Sequence, residues 1–337
     1  MSKPNSKPWT PWHLRLHKQL LWNKNLLPSG ASLLLAVSGG QDSMALLKLL
    51  LDLQRLYKWK LHVWHGNHGW HKQSTQTAKE LERWCKERNL NFTCEESTKT
   101  KLKTEEAARD WRYSNLVRLA QLLSKESKSQ TINYVLTAHT STDRAETMLL
   151  HLARGAHLGG LGSLRRIRTL KEHINLVRPL LPFSREDTAQ ICKEMNLPIW
   201  IDPSNSSLAF SRNRVRKEIL PVLESLHPGS SKRIASVAEK LSHLKEDQTI
   251  LAKLAIEAVQ HSKGLSRQKI IQLPINTRAT IFAQWLTEVG APFLGAAQLE
   301  EISHRTSARM PPGQHDLAKG WKVQWDRESI HVVIPKN

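Results

Sequence analysis

The sequence predicts an α/β protein, a parallel sheet covered by helices on both faces, followed by a smaller and mostly α-helical domain. Three observations predict it. From residue 32 to residue 196, short apolar runs alternate with stretches of helical periodicity, and that alternation calls for parallel βαβ units. Beyond about residue 217 the alternation stops and helical patterns take over. The length, 337 residues, suits about two domains at roughly 150 residues each.

Each element follows from its pattern. Residues 32–37 (SLLLAV) form an apolar run of strand length. Residues 43–56 carry Leu46, Leu47, Leu50, Leu53 and Leu56 at helical spacing. Strands are predicted at 60–65, 91–96, 133–139 and 175–181. Helices are predicted at 75–89, 104–125, 143–154 and 184–196. The second part reads as helices at 218–226, 230–261, 276–289 and 296–305. A hairpin at 321–334 turns at Asp326-Arg327-Glu328-Ser329. Residues 1–31 read as an N-terminal extension with a short helix at 12–25. The expected division is 32–217 an α/β domain, 218–310 a helical one and 311–337 a C-terminal tail.

Composition narrows the function. Fifty Lys and Arg stand against thirty Asp and Glu, a formal charge of +20, which favours an anionic partner, nucleic acid first. No apolar run approaches the roughly 18 residues that cross a bilayer, and no apolar core follows the basic start, so neither a membrane span nor a secretory leader is expected. Three cysteines without a C-x-x-C pair argue against a disulfide framework or a zinc site and suit a reduced cytoplasmic protein. Residues 151–185 hold Arg154, Arg165, Arg166, Arg168, Lys171, Arg178 and Arg185, a cluster suited to an RNA backbone or to a plain solvated face. The histidines at 62–71, His62, His65, His68 and His71, lack the spacing and company of a metal site.

The sharpest signal is Ser38-Gly39-Gly40-Gln41-Asp42-Ser43, between a buried strand and a helix. A helix N-terminus offers N–H groups and a positive dipole end. Two glycines let the backbone approach an anion, and Ser38 and Ser43 add hydroxyls. Asp42 would repel phosphate, so a carboxylate there points to Mg²⁺. The loop lacks the Lys of a Walker A motif. His139 ends a strand, where ligands bind in open α/β sheets. Asp143 and Glu146 share one face of the next helix. They read either as support for Mg²⁺ or an ammonium, or as carboxylates of a helix start. Arg109, with Arg112 on the same helix, reads as a phosphate ligand or as the partner of Glu105.

S-G-G-x-D-S after the first strand resembles the pyrophosphate loop of the N-type ATP pyrophosphatases, which implies a Rossmann-like PP-loop domain and cleavage of ATP between its α and β phosphates. Further strings resemble the tRNA(Ile)-lysidine synthetase family. They are EEAARDWRY at 105–113, TAHTSTDRAET at 137–147 with the LLHLARGAHLGGL that follows, RPLL at 178–181, DPSN at 202–205 and SRNRVR at 211–216. The resemblance spans about 32–228. It implies ligation of L-lysine to the wobble cytidine of a tRNA(Ile) with a CAU anticodon, using ATP and Mg²⁺. Asp42, Arg109 and Asp143 would then be catalytic, with Asp42 and Asp143 on the metal. Ser38–Ser43, His65 and His139 would hold the nucleotide. Arg112, Glu146, Arg212 and Arg216 would meet lysine or tRNA. Thr142 stands where the family has an Asp, and Arg144 where it has a Gln, which bears on a second metal. A thiolase of the same superfamily and a non-catalytic tRNA-binding protein are the rival readings. A homodimer is left open.

Overall fold

The computed structural model describes residues 9–67, 72–97, 104–126, 131–156, 158–200, 208, 210–262 and 264–335. The segments His68–His71 and Asp202–Asn205, both singled out above, lie outside these residues. Among the described residues no helix is long and apolar enough to cross a membrane. The chain divides into two compact units, Met1–Ser242 and His243–Asn337.

The first unit runs α1 (Pro11–Trp22), β1 (Ser32–Ala36), α2 (Gln41–Tyr57), β2 (Lys60–Asn67), α3 (Lys72–Lys86), β3 (Asn91–Glu96), α4 (Glu105–Glu126), β4 (Ile132–Leu136) and α5 (Ser141–Ala153). It continues with α6 (Leu158–Leu161), β5 (Ile167–Lys171), β6 (Ile174–Val177), α7 (Arg185–Glu194), α8 (Ser211–Arg214), a π-helical turn (Val215–Ile219), α9 (Leu220–Leu226) and the start of α10 (Ser230–Val259). Six strands pair in the order β3-β2-β1-β4-β6-β5. All pairs are parallel except β5 with β6. The parallel part is the predicted α/β sheet. The antiparallel edge strand β5 was not foreseen: its sequence, IRTLK, shows no apolar alternation, and it is exposed along most of its length.

The central position of β1 explains its apolar run. Leu33, Leu34 and Leu35 have no solvent exposure, and burying each such side chain stabilises by about 2 kcal/mol. Leu33 and Leu35 join the layer that holds Leu46, Leu50 and Leu53 of α2, while Leu34 joins Leu116 and Ala120 of α4 on the other face. Leu16, Leu20, Leu26 and Leu27 enter the first of these layers, so α1 is built into the sheet's own core. The boundary expected at 217 also falls inside this unit, because Leu220 and Ala235 bury against Ala145 and Val215.

The second unit holds β7 (Gln260–His261), β8 (Gly264–Ser266), α11 (Arg267–Ile270), α12 (Ile275–Glu288), α13 (Ala296–Arg305), β9 (Gly313–Asp316), β10 (Lys322–Trp325) and β11 (Ser329–Val333). The hairpin expected at 321–334 is β10–β11, with Trp325 opposite Ile330. Asp326 closes its turn by accepting the N–H groups of Glu328 and Ser329, each at 2.7 Å. The hairpin is part of a five-stranded antiparallel sheet, β7-β8-β11-β10-β9.

Candidate active site

The loop 38–43 leaves β1 and enters α2, as its glycines require. Gly39 has φ +86°, and a Cβ there would lie 3.0 Å from the Trp200 ring and 3.3 Å from Thr77. Both the dihedral and the space therefore disfavour a side chain. Trp200 donates its backbone N–H to the Gly39 carbonyl at 3.0 Å and its indole N–H to Glu80 of α3, which backs the loop from outside. Inside, the Gly40 N–H donates to Ser38 Oγ at 3.3 Å, Ser43 Oγ donates to the Gly40 carbonyl at 2.8 Å, and the two serine oxygens are 3.3 Å apart. At the far end of β2, His65 is buried with Nδ1 2.8 Å from the Val37 carbonyl. It braces the strand that leads into the loop.

Asp42, in the first turn of α2, is held by α7. Thr188 Oγ1 donates to its Oδ1, and Arg185 Nη1 lies 3.1 Å from its Oδ2. Gln41 Nε2 donates to the Arg185 carbonyl at 2.9 Å and to Thr188 Oγ1 at 3.1 Å. Burial and the nearby Asp143 carboxylate push the Asp42 carboxyl above its usual range, against the Arg185 guanidinium. Such a group favours a cation.

Asp143 opens α5. Its Oδ2 accepts the N–H of the helix-capping Thr140 at 2.7 Å and its hydroxyl at 2.9 Å. Its Oδ1 accepts Arg212 Nη2 at 2.8 Å and Arg216 Nη2 at 3.4 Å. One turn on, Glu146 has no solvent exposure and accepts Arg212 Nε at 2.8 Å on Oε2 and Arg216 Nε at 2.6 Å on Oε1. Arg212 and Arg216 are four residues apart and share a face, with a π turn at Val215–Ile219 around the second of them. Two carboxylates thus meet two guanidiniums. The charge on Arg212 and its neighbours holds the Asp143 carboxyl far below the usual range despite its burial. His139 Nδ1 lies 2.9 Å from Thr137 Oγ1. Burial first, then Arg178, pushes its imidazole well below the usual value, with Arg212 and Arg112 adding to the effect. The structure therefore gathers His139, Asp143, Glu146, Arg112, Arg212 and Arg216. Arg109 is exposed on α4, and among the described residues no ion pair joins it to this group.

A PP-loop domain model matches residues 14–223. The tRNA(Ile)-lysidine synthase of Prochlorococcus marinus is 57% identical over 97% of each chain. The chain belongs to the tRNA(Ile)-lysidine synthase family. A second relative, the tRNA(Ile)-lysidine synthase of Parasynechococcus marenigrum, is 45% identical over 99% of this chain and 98% of its own. Among solved structures, a U34-tRNA thiolase from Methanococcus maripaludis matches with a TM-score of 0.55 and 18% identity, over 69% of this chain and 78% of that one. That likeness is one of fold.

Within the lysidine synthase family pattern, the two departures have structural partners. Thr142 Oγ1 accepts the backbone N–H of Arg185 at 3.1 Å. Arg144 is buried, 3.4 Å from Glu239, which also takes Arg166 at 2.7 Å. Arg185 and Thr188 were the residues that sequence reasoning missed at the site. No spacing rule links position 42 to positions 185 and 188. Cys192 touches the loop, 3.3 Å from the Gln41 carbonyl, and burial with the Asp42 charge pushes its thiol up to about 12. Burial likewise raises Cys85 to about 12 and Cys94 to about 11. In each case burial works against the thiolate form that a reactive cysteine needs.

Proposed function

We propose that this protein ligates L-lysine to C2 of the wobble cytidine of a tRNA(Ile) with a CAU anticodon, converting ATP to AMP and pyrophosphate. The observation that carries this is the match to a lysidine synthase along 97% of the chain, together with an intact Ser38–Ser43 loop. The cytosine O2 attacks the α-phosphorus, and pyrophosphate leaves. The lysine ε-amine then attacks C2, loses a proton, and AMP departs with the oxygen. Adenylation is needed because a carbonyl oxygen is a poor leaving group.

In this reading the loop's N–H groups and the Ser38 and Ser43 hydroxyls cradle the leaving phosphates. Asp42 suits Mg²⁺: its Oδ2 accepts Arg185 and keeps a further lone pair. Asp143 has each oxygen engaged by two donors, so it would join the metal only as an arginine withdraws. Mg²⁺ at Asp42 would neutralise charge on the leaving phosphates. His65 and His139 flank the nucleotide, and Arg109 and Arg112 reach from α4 toward the activated cytidine. Lysine exchanges into the ionic cluster. Its ammonium replaces a guanidinium on Asp143 and Glu146, and the freed Arg212 or Arg216 meets its carboxylate. The basic strand β5 grips RNA, and the reaction takes place in the cytoplasm, where unmodified tRNA and ATP are at hand.

The test is to incubate the protein with ATP, Mg²⁺, labelled lysine and unmodified tRNA, then weigh the digested nucleosides. A cytidine heavier by one lysine less one water, absent for Asp42→Ala, is the expected product. Release of AMP without lysine incorporation would overturn the assignment of the nucleophile.

A further inference from the structure

The most informative residue outside the family strings is Arg185. Its backbone is tied on both sides: its N–H donates to Thr142 Oγ1 at 3.1 Å, and its carbonyl accepts Gln41 Nε2 at 2.9 Å. Its Cα is therefore fixed relative to the loop 38–43. Its side chain is not fixed in the same way. It is one-third exposed, reaching Asp42 Oδ2 at 3.1 Å, and it borders a cavity of about 480 Å³ shared with Ser141, Thr142, Ser184 and Lys232. The guanidinium has room to turn without moving the helix.

Charge balance indicates why it would turn. Asp42, Asp143 and Glu146 face Arg185, Arg212 and Arg216, three anions against three cations. These six groups balance one another, so the charge of these arginines is already spent on carboxylates. The loop Ser38–Ser43 itself has no Lys or Arg, so its N–H and hydroxyl donors do not neutralise a bound triphosphate. Arg212 and Arg216 pair with both oxygens of Glu146 in the ATP-free protein, and in the proposed reaction they serve lysine. Arg185 is bound to a single carboxylate oxygen, the one a divalent cation would claim. Thr142, in the place of a second family Asp, adds a neutral acceptor to this wall rather than another carboxylate. A planar guanidinium displaced from Asp42 is suited to two phosphate oxygens at once.

We propose that Arg185 is a further substrate-contacting residue of the pyrophosphate site, covering Asp42 in the ATP-free protein and turning onto the β and γ phosphates when a divalent cation takes Asp42. This rests on the reading of the loop as an ATP-cleaving site. It makes Arg185 the positive charge that the loop lacks, supplied from α7.

Binding of pyrophosphate and of AMP, each measured by calorimetry with Mg²⁺ present, tests it on the full-length protein and its Arg185→Ala and Arg185→Lys variants. Loss of one charge-assisted pair is expected to weaken pyrophosphate binding about tenfold in Arg185→Ala, with AMP affinity unchanged and Arg185→Lys in between. The Mg²⁺ concentration for half-maximal ATP binding should fall in Arg185→Ala, because Asp42 has lost its competitor. Equal losses for pyrophosphate and AMP would make Arg185 a mere support for Asp42 and overturn the proposal. So would pyrophosphate binding within twofold of the parent. Should Arg185→Ala not fold, Arg185→Gln, which keeps the length and loses the charge, carries the same comparison. If the parent itself binds neither ATP nor pyrophosphate, the ATP reading of the loop falls, and this inference with it.

Discussion

Arg216 meets Glu146 edge to edge, with Nε 2.6 Å from Oε1 and Nη2 2.9 Å from Oε2, on a carboxylate without solvent exposure. A buried pair of this kind adds little over an apolar one, but breaking it is expensive. Glu146→Ala leaves Arg212 and Arg216 to share Asp143, and should cost about 3–5 kcal/mol of stability. Urea unfolding of the ligand-free protein reads this directly. A loss under 1 kcal/mol would show the two arginines finding other partners.

Gly39→Ala is expected to damage the loop with little effect elsewhere. At φ +86° and 3.0 Å from Trp200, a methyl group must shift either the loop or the indole. ATP affinity should fall by at least about tenfold, while the free energy of unfolding drops by only about 1–2 kcal/mol. A variant with normal ATP binding would remove the loop from the reaction.

Acid should destabilise the fold in two stages. His139 and Asp143 both have lowered values, so the unfolded chain binds more protons and stability rises with pH. Their contribution is complete above the ordinary His value of 6.5 and is lost as pH falls, first through unfolded-state His139 and then, near 3.8, through Asp143. Asp42, with a raised value, acts in the opposite sense, its share being lost as pH rises through its folded value. His139→Gln should flatten the slope of stability between pH 7 and pH 5 in urea titrations. An unchanged slope would place the titrating group elsewhere.

Replacing Cys85, Cys94 and Cys192 together by Ala should leave lysine incorporation within a few-fold of the parent, since burial disfavours the thiolate at all three. Complete loss of turnover in a folded triple variant would revive a sulfur-transfer reading.

The exposed edge strand β5 should set the salt response of tRNA binding. Arg168 and Lys171 are exposed on it. Removing both should reduce the slope of log affinity against log salt by about 1.5–2. A slope that does not change would place the RNA on another face.

Much of this was legible because local and global signals agree. The Leu-rich β1 and α2 announce themselves, and the two glycines between them announce the turn. The C-terminal hairpin is readable from Asp326–Ser329, whose side chain and backbone close the turn. What was not legible depends on partners far apart in the chain. Asp143 and Glu146 looked equally like a helix start and a site. The structure makes Asp143 both, since one oxygen caps α5 while the other takes arginine, and gives Glu146 to Arg212 and Arg216, some 70 residues on. Arg185 and Thr188 lie 143 and 146 residues from Asp42, where periodicity carries no information. In the second unit, Arg267 is buried and donates to the carbonyls of Thr306, Ser307, Met310 and Asp326. An arginine with this role is indistinguishable in sequence from a surface one.

The helix α1 lies against α7 through Arg15, which donates to Asp187 at 2.9 Å across 172 residues, and through Trp12, which donates to Glu194 across 182. These residues are made well before their partners on α7. At roughly 5–20 residues per second, α1 waits about 10–35 s for α7 to be made. Meanwhile His13 and Asp52, 3.0 Å apart in the finished fold and only 39 residues distant in sequence, offer it an earlier resting place on α2. The wall of the site that carries Arg185 therefore closes only after α7 is made, against a helix whose other side has a partner on α2 already available.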